Sequence, residues 1–130
     1  MLLVAGKRAR GFWLPPGGHV EFQEHATAAA VREVFEETGV RVRVARLIAW
    51  REVWWDEEHT MELYFAGELL ADGEGAREAD HGWEWVEVAK LGERAVVPEE
   101  LGVLCGIAVG EGEEVAQLAA ADFRGREGAQ

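Results

Sequence analysis

Three glutamates at positions 33, 36 and 37 constrain this chain more than any other feature. On a helix they stand at i, i+3 and i+4 and share one face, where each like-charge pair costs roughly 0.2–0.5 kcal/mol. A sequence that keeps such repulsion implies a positive charge that offsets it. Ala30, Val31, Val34 and Phe35 fall on an arc roughly opposite the glutamates, so the segment reads as an amphipathic helix with that arc toward a core. Thr38-Gly39-Val40 ends the helix, because Gly39 can take the left-handed conformation that closes a last turn and Val40 can pack back against it. No Ser, Thr, Asp or Asn precedes the run at Ala26, which leaves the start open to a few residues and the cap to Gln23, Glu24 or a water. Taken alone, the acidic face also fits an ordinary solvated surface in which Arg32 and Glu36 form an i, i+4 pair.

The spacing around the helix separates those two readings. The stretch Gly18 to Val40, GHVEFQEHATAAAVREVFEETGV, resembles the Nudix box, G-x5-E-x7-R-E-U-x-E-E-x-G-U with U a bulky aliphatic residue. Every fixed position is filled: Gly18, Glu24, Arg32, Glu33, Val34, Glu36, Glu37, Gly39 and Val40. Trp13 through Gly18 (WLPPGG) is similar to the family's lead-in to the box, and Trp85-Val86 to its late tryptophan-bearing strand.

The resemblance implies an α+β fold, an α/β/α sandwich with a mixed β-sheet between helices. It also implies a Mg²⁺-dependent hydrolase, with Mn²⁺ as the alternative ion, acting on a nucleoside diphosphate linked to another group. Nucleoside triphosphates, nucleotide sugars and dinucleotides all belong to that class. By the same resemblance, Glu36 and Glu37 are metal ligands, Glu33 is a further ligand or the general base, the Gly18 carbonyl is an additional ligand, and Arg32 orients the glutamates. Glu24 has two open roles, in the metal shell or as a brace for the loop. The base varies across the family, so Glu78, Asp80 and Glu84 are alternatives in the late loop. Two departures stand out. Gln23 occupies a position where the family often has glycine, and members commonly carry another strand ahead of the one matching Leu2 to Ala5. An open sheet edge is therefore expected at Leu2 to Ala5, filled by residues upstream of Met1, by a second copy in a homodimer, or by the chain's own C-terminal segment.

A length of 130 residues suits one domain with a real core, expected over 1–123, with 124–130 a disordered tail. The formal net charge of −12 opposes binding to a nucleic-acid polymer. A small nucleotide remains a fitting partner, since Mg²⁺ is commonly shared between carboxylates and substrate phosphates. Cys105 is the only cysteine, which excludes an intramolecular disulfide and fits a reducing compartment. No apolar run reaches the length of a membrane span and no signal-peptide layout is present, so the expectation is a soluble cytoplasmic protein.

Leu2 to Ala5 reads as a strand, ended by Gly6 and the basic stretch Lys7-Arg8-Ala9-Arg10. Arg10 is a candidate substrate contact, set against the plainer reading of a solvated turn. Pro15-Pro16-Gly17-Gly18 forces an irregular loop whose carbonyls can approach a metal. Valines 40, 42 and 44 alternate with Arg41 and Arg43, the period of a half-buried strand that continues to Trp55. Met61 to Leu70 and Trp83 to Val88 are further antiparallel strand candidates. Leu91 to Leu104 reads as partly helical and Glu113 to Phe123 as a short helix. Trp54 and Trp55 are candidates for stacking on a nucleobase, beside the simpler reading as half-buried strand residues. His19 is a candidate phosphate contact, and the four histidines lack metal-ligand spacing. Two other functions compete: a Nudix domain that senses a nucleotide without turnover, and a Nudix-type isomerase, which needs catalytic groups beyond the box. No downstream pattern of ADP-ribose-cleaving or NADH-cleaving members marks the substrate.

Overall fold

Leu2, Leu3 and Val4 are all buried, so β1 (Leu2–Ala5) is covered on both faces, as an uninterrupted apolar run predicts. Leu2 faces one apolar cluster with Val34, Val40, Val42 and Trp83. Its neighbour Leu3 points the other way, into a cluster with Ile48, Ala49, Val86, Leu91, Leu101, Leu104 and Leu118. The computed structural model describes residues 1–5, 11–72, 82–110 and 112–125.

β1 is the middle strand of a three-stranded antiparallel sheet, between β2 (Trp13–Leu14) and β5 (Trp83–Trp85). Val4 lies opposite Leu14, and Leu3 opposite Glu84. Met1 extends the pairing, its nitrogen donating to the Val86 carbonyl at 2.6 Å and its carbonyl accepting from Val86 N at 2.7 Å. The expected open edge at Leu2 to Ala5 is thus corrected, because both sides of β1 are taken by strands from later in the chain. The segment 94–97 lengthens this sheet along β2, with Trp13 N donating to the Ala95 carbonyl and Val97 N to the Trp13 carbonyl.

The second sheet is mixed. Its body is a long antiparallel hairpin of β3 (Arg41–Trp54) and β4 (His59–Ala71). Three register shifts bend the hairpin, two of which add a residue on β3 at Ala45 and Ile48, while the third adds Leu70 on β4. The other side of β3 pairs in parallel with β6 (Ala116–Gln117) and β7 (Ala121–Asp122). The helix expected over Glu113 to Phe123 is therefore replaced by two short strands. Leu118 N donates to the Trp50 carbonyl and Phe123 N to the Trp54 carbonyl, so the edge of β3 supplies partners that a short isolated helix lacks.

Helix α1 (Ala26–Thr38) sits against β3 through Val34 in the first cluster, and α2 (Leu101–Val109) closes the second cluster with Leu101 and Leu104. The partly helical reading of Leu91 to Leu104 resolves into a 3₁₀ turn, Val88–Glu93, followed by α2. The late strand stops at Trp85, three residues short of the expected Val88. Arg124 and Gly125, expected to begin a tail, are held instead: Arg124 pairs with Asp122, and Gly125 N donates to Asp56 Oδ1 at 2.6 Å. Residues 126–130 lie outside the described residues. Among the described residues no helix is long and apolar enough to cross a membrane.

Candidate metal and catalytic site

Helix α1 begins without a side-chain cap. His25 holds the cap position, and Ala29 N bonds to its carbonyl at 2.9 Å. Gln23 and Glu24 are used otherwise. Gln23 takes φ 63°, the left-handed conformation that a glycine adopts freely, which is how this chain meets the loop geometry where the family often has Gly. Glu24 accepts the backbone N–H of Glu21 at 3.0 Å and faces Arg32. At the other end Gly39 is left-handed, φ 75°, with its N–H on the Phe35 carbonyl at 2.7 Å. Thr38 is buried and donates to the Val34 carbonyl at 2.6 Å. The buried side of the helix consists of Ala29, Val34, Glu37 and Thr38, rotated from the expected arc; Phe35 lies beneath the guanidinium of Arg41, 4.3 Å above its ring.

Arg32 is the positive charge that the glutamates require. Its Nε and Nη2 grip Glu24 at 2.8 and 2.9 Å, a bidentate pair, and Nη2 also reaches the His19 carbonyl at 3.1 Å. Nη1 donates to Glu33 Oε1 at 2.8 Å and to Glu36 Oε2 at 3.2 Å. All five guanidinium N–H donors thereby have acceptors. The Arg32 hydrogen bonds, with the Glu21 N–H second, hold the Glu24 carboxyl well below its ordinary 4.5, at about 2. Arg32 itself is pushed up by the carboxylates. The Glu24 oxygens tie the loop to the helix through the Glu21 N–H and Arg32.

The remaining glutamates are graded in exposure, unlike an evenly solvated face. Glu37 is buried at 6% and accepts Gly17 N–H at 3.3 Å. Glu33 is half-buried and Glu36 is the most open of the three. Gly18 lies directly on Glu33: a Cβ there would stand 2.5 Å from Glu33 Cδ and 2.6 and 2.7 Å from its oxygens. That cradle brings loop backbone onto a carboxylate, and backbone and carboxylate oxygens are the donors that hard divalent cations prefer. As the side chains stand, no three acidic or histidine groups among the described residues converge into a metal cage. Arg32 holds Glu33 and Glu36, and the Gly17 N–H holds Glu37; a cation bound here would compete with Nη1 for the first two.

The other sequence candidates are dispersed. Glu84 is ion-paired with Arg94, whose guanidinium also lies 5.0 Å above the Trp13 ring. His19 is exposed, and its carbonyl is what bonds Arg32. Arg10, Glu78 and Asp80 lie outside the described residues. Trp54 and Trp55 sit at the far end of β3 from Gly39, each with a ring partner: Trp54 on His59 at 5.2 Å and Trp55 on Phe123 at 4.7 Å. Arg124 also lies 5.9 Å over Trp54.

One polar group went unforeseen. Arg51 is 7% exposed in the middle of β3, where its Nε donates to Glu62 Oε1, an atom that also accepts the Tyr64 hydroxyl at 2.6 Å. Burial works against the charge on Arg51, but the Glu62 hydrogen bond and the nearby charges keep its pKa raised. Burial, then Glu62, pushes the Tyr64 phenol up. Only the hairpin register, which sets Arg51 opposite Glu62, identifies the pair. Cys105 is half-buried with its thiol 3.6 Å from the Met1 sulfur, and burial pushes it above the ordinary thiol range.

A glycine cradle, a glutamate-bearing helix turn and an arginine clamp between them, on a mixed sheet with helices packed on two clusters, define a Nudix domain. The sequence pattern of the NUDIX domain family matches residues 1–105, and the chain belongs to that family. Human diphosphoinositol polyphosphate phosphohydrolase 3-beta is 38% identical over 90 residues, 68% of this chain and 55% of the relative. The chain thus spans about half the length of the curated relatives it matches. Among solved structures, a UDP-X diphosphatase aligns with TM-score 0.69 at 21% identity, covering 88% of this chain and 59% of that one. An ADP-ribose pyrophosphatase from Streptococcus suis aligns with TM-score 0.66 at 21% identity, covering 90% and 88%. These two share the fold.

Proposed function

We propose that the chain is a Mg²⁺-dependent pyrophosphohydrolase that cleaves the diphosphate linkage of a nucleoside diphosphate joined to another group. The observation behind this reading is the Arg32 clamp, which holds the Gly18 loop against a helix turn bearing Glu33, Glu36 and Glu37. Glu36 and Glu37 with the Gly18 carbonyl are the assigned metal ligands, and Glu33 is a further ligand or the base. Bound Mg²⁺ neutralises phosphate charge and makes a water more acidic. Arg32 and Glu24 position the donors, and the buried setting of Glu37 fixes one of them.

Among the described residues most basic side chains are already engaged, a setting that suits a substrate with few phosphates. Arg32, Arg43, Arg51, Arg94 and Arg124 are each bonded to a carboxylate, Arg46 to the Ile107 carbonyl, and Arg41 lies over Phe35, while Lys7, Arg8 and Arg10 lie outside the described residues. Recognition of a polyphosphorylated inositol, the substrate class in the relatives' name, calls for many free cations. A diphosphate already bridged by metal needs fewer. An isomerase needs catalytic groups beyond the box, and Cys105, the only cysteine, packs against Met1.

The test is a turnover screen of the purified chain with Mg²⁺ or Mn²⁺ over nucleoside triphosphates, nucleotide sugars, dinucleoside polyphosphates and a diphosphoinositol polyphosphate. Release of a nucleoside monophosphate, abolished by chelator and lowered by orders of magnitude in Glu36→Gln, is expected. Absence of any metal-dependent turnover, or preference for the inositol compound, overturns the reading.

A further inference from the structure

β4 is the outer strand of its sheet, and among the described residues no strand pairs with its free side. Edge strands normally blunt such a row of unpaired N–H and C=O groups with lysine, proline, a bulge or shortness. β4 uses none of these between His59 and Leu69. It is 13 residues long, its sequence HTMELYFAGELLA contains no Lys or Pro, and both inner bulges of the hairpin put their extra residue on β3. Its two carboxylates are already matched across the hairpin, Glu62 by Arg51 and Glu68 by Arg43. A chain of net charge −12 therefore presents a locally neutral strip along this one edge. Met61, Leu63 and Leu69, which alternate onto one face, are 60%, 43% and 53% exposed.

We propose that β4 is a dimer seam, at which two copies of this chain pair antiparallel with Tyr64 on the twofold axis. In such a contact residue i meets j and j meets i. Centring on Tyr64 sets Glu62 opposite Ala66 and Glu68 opposite Thr60, so that no carboxylates face one another. Centring on Phe65 sets Glu62 against Glu68, and centring on Leu63 sets Glu58 against Glu68; both place like charges opposite. The Tyr64 register also puts Met61 opposite Gly67 and Leu63 opposite Phe65, which merges the apolar faces of the two copies into one. Pairing eleven residues in this way buries on the order of 1,000 Å², the lower end for specific interfaces, so the dimer is reversible.

Analytical ultracentrifugation of the full chain from about 1 µM to about 200 µM tests the seam. The expected mass rises from 14.4 kDa toward twice that value. Met61→Lys/Leu63→Lys, at exposed positions away from the metal site, stays at 14.4 kDa throughout and keeps the wild-type melting temperature within a few degrees. A wild-type chain that is monomeric at every concentration overturns the proposal, as does a double-lysine variant that dimerises equally well. Tyr64→Cys in a Cys105→Ser background should oxidise to a covalent dimer, because opposed Cα atoms about 4.5–5.5 Å apart suit a disulfide. Leu63→Cys/Phe65→Cys reads the same register without touching Tyr64. Dimers that cross-link at neither place overturn the register and the seam together.

Discussion

Gly18→Ala separates the geometry of the metal loop from the stability of the fold. Gly18 is not left-handed, so alanine meets no backbone objection there; what it meets is the Glu33 carboxylate, 2.5–2.7 Å from the new methyl. Ordinary carbon contacts begin near 3.5 Å, so the carboxylate has to retreat by about 1 Å. It is the end of a flexible, half-buried side chain, and the retreat strains or breaks the 2.8 Å bond from Arg32. That loss costs on the order of 1 kcal/mol of stability, because the rest of the clamp survives. Turnover should suffer far more, since a misplacement of about 1 Å in a reacting constellation costs roughly 100-fold. The assay is a urea midpoint beside kcat and KM on the substrate found by the screen. A double-mutant cycle then isolates the cause: in a Glu33→Ala background the methyl has room, so Gly18→Ala should add less than about a threefold loss. Full activity in Gly18→Ala, or an equal loss in both backgrounds, refutes the reasoning.

Other perturbations follow from the same geometry. Because the Glu24 carboxyl is held at about 2 in the folded chain against an ordinary 4.5, its contribution is whole above pH 4.5 and fades as pH falls toward 2. The stability gap between wild type and Glu24→Gln, from denaturant titrations between pH 6 and 2.5, should narrow over that window; a constant gap contradicts the clamp. Gln23→Val should destabilise by about 1–2 kcal/mol, as a β-branched residue resists the left-handed φ, and Gln23→Gly should do no harm. Glu62→Leu should cost about 3 kcal/mol by leaving buried Arg51 unpaired, and adding Arg51→Leu should recover part of it, both read as shifts in urea midpoint. If Trp54 or Trp55 stacks on a nucleobase, quenching of tryptophan fluorescence by Mg²⁺-nucleotide should vanish in one of the two alanine variants; survival in both rules the stacking out.

The site was legible where chemistry and spacing coincide. Glu33, Glu36 and Glu37 carry a repulsion whose offset had to exist, and Arg32, Glu24 and Gly18 sat at the spacing that supplies it. The helix end at Gly39 and the hairpin strands likewise follow from local pattern. What failed depended on contacts distant in sequence. Residues 113–123 have a helix-like composition, and only the open side of β3 turns them into strands. Leu2 to Ala5 looked like an edge because family members commonly carry a strand ahead of it, and its partners prove to be the nearby Trp13–Leu14 and the distant Trp83–Trp85. Arg51 carried no local signal, and only the register with Glu62 makes its burial tolerable.

The two parallel strands at the C-terminal end have a consequence for where this domain stops. The family pattern matches residues 1–105, yet residue 105 falls inside α2, and Leu118 beyond it belongs to the main apolar cluster. A boundary drawn by kinship would cut a helix in two and strip β3 of one flank. The family pattern and the packing thus divide the chain differently: the matched stretch carries the candidate site, and the residues after it complete the main apolar cluster and the parallel flank of β3. Fragments trimmed to the shared region are poor guides to this chain's behaviour, and swaps of its last third among relatives should alter stability before they alter catalysis.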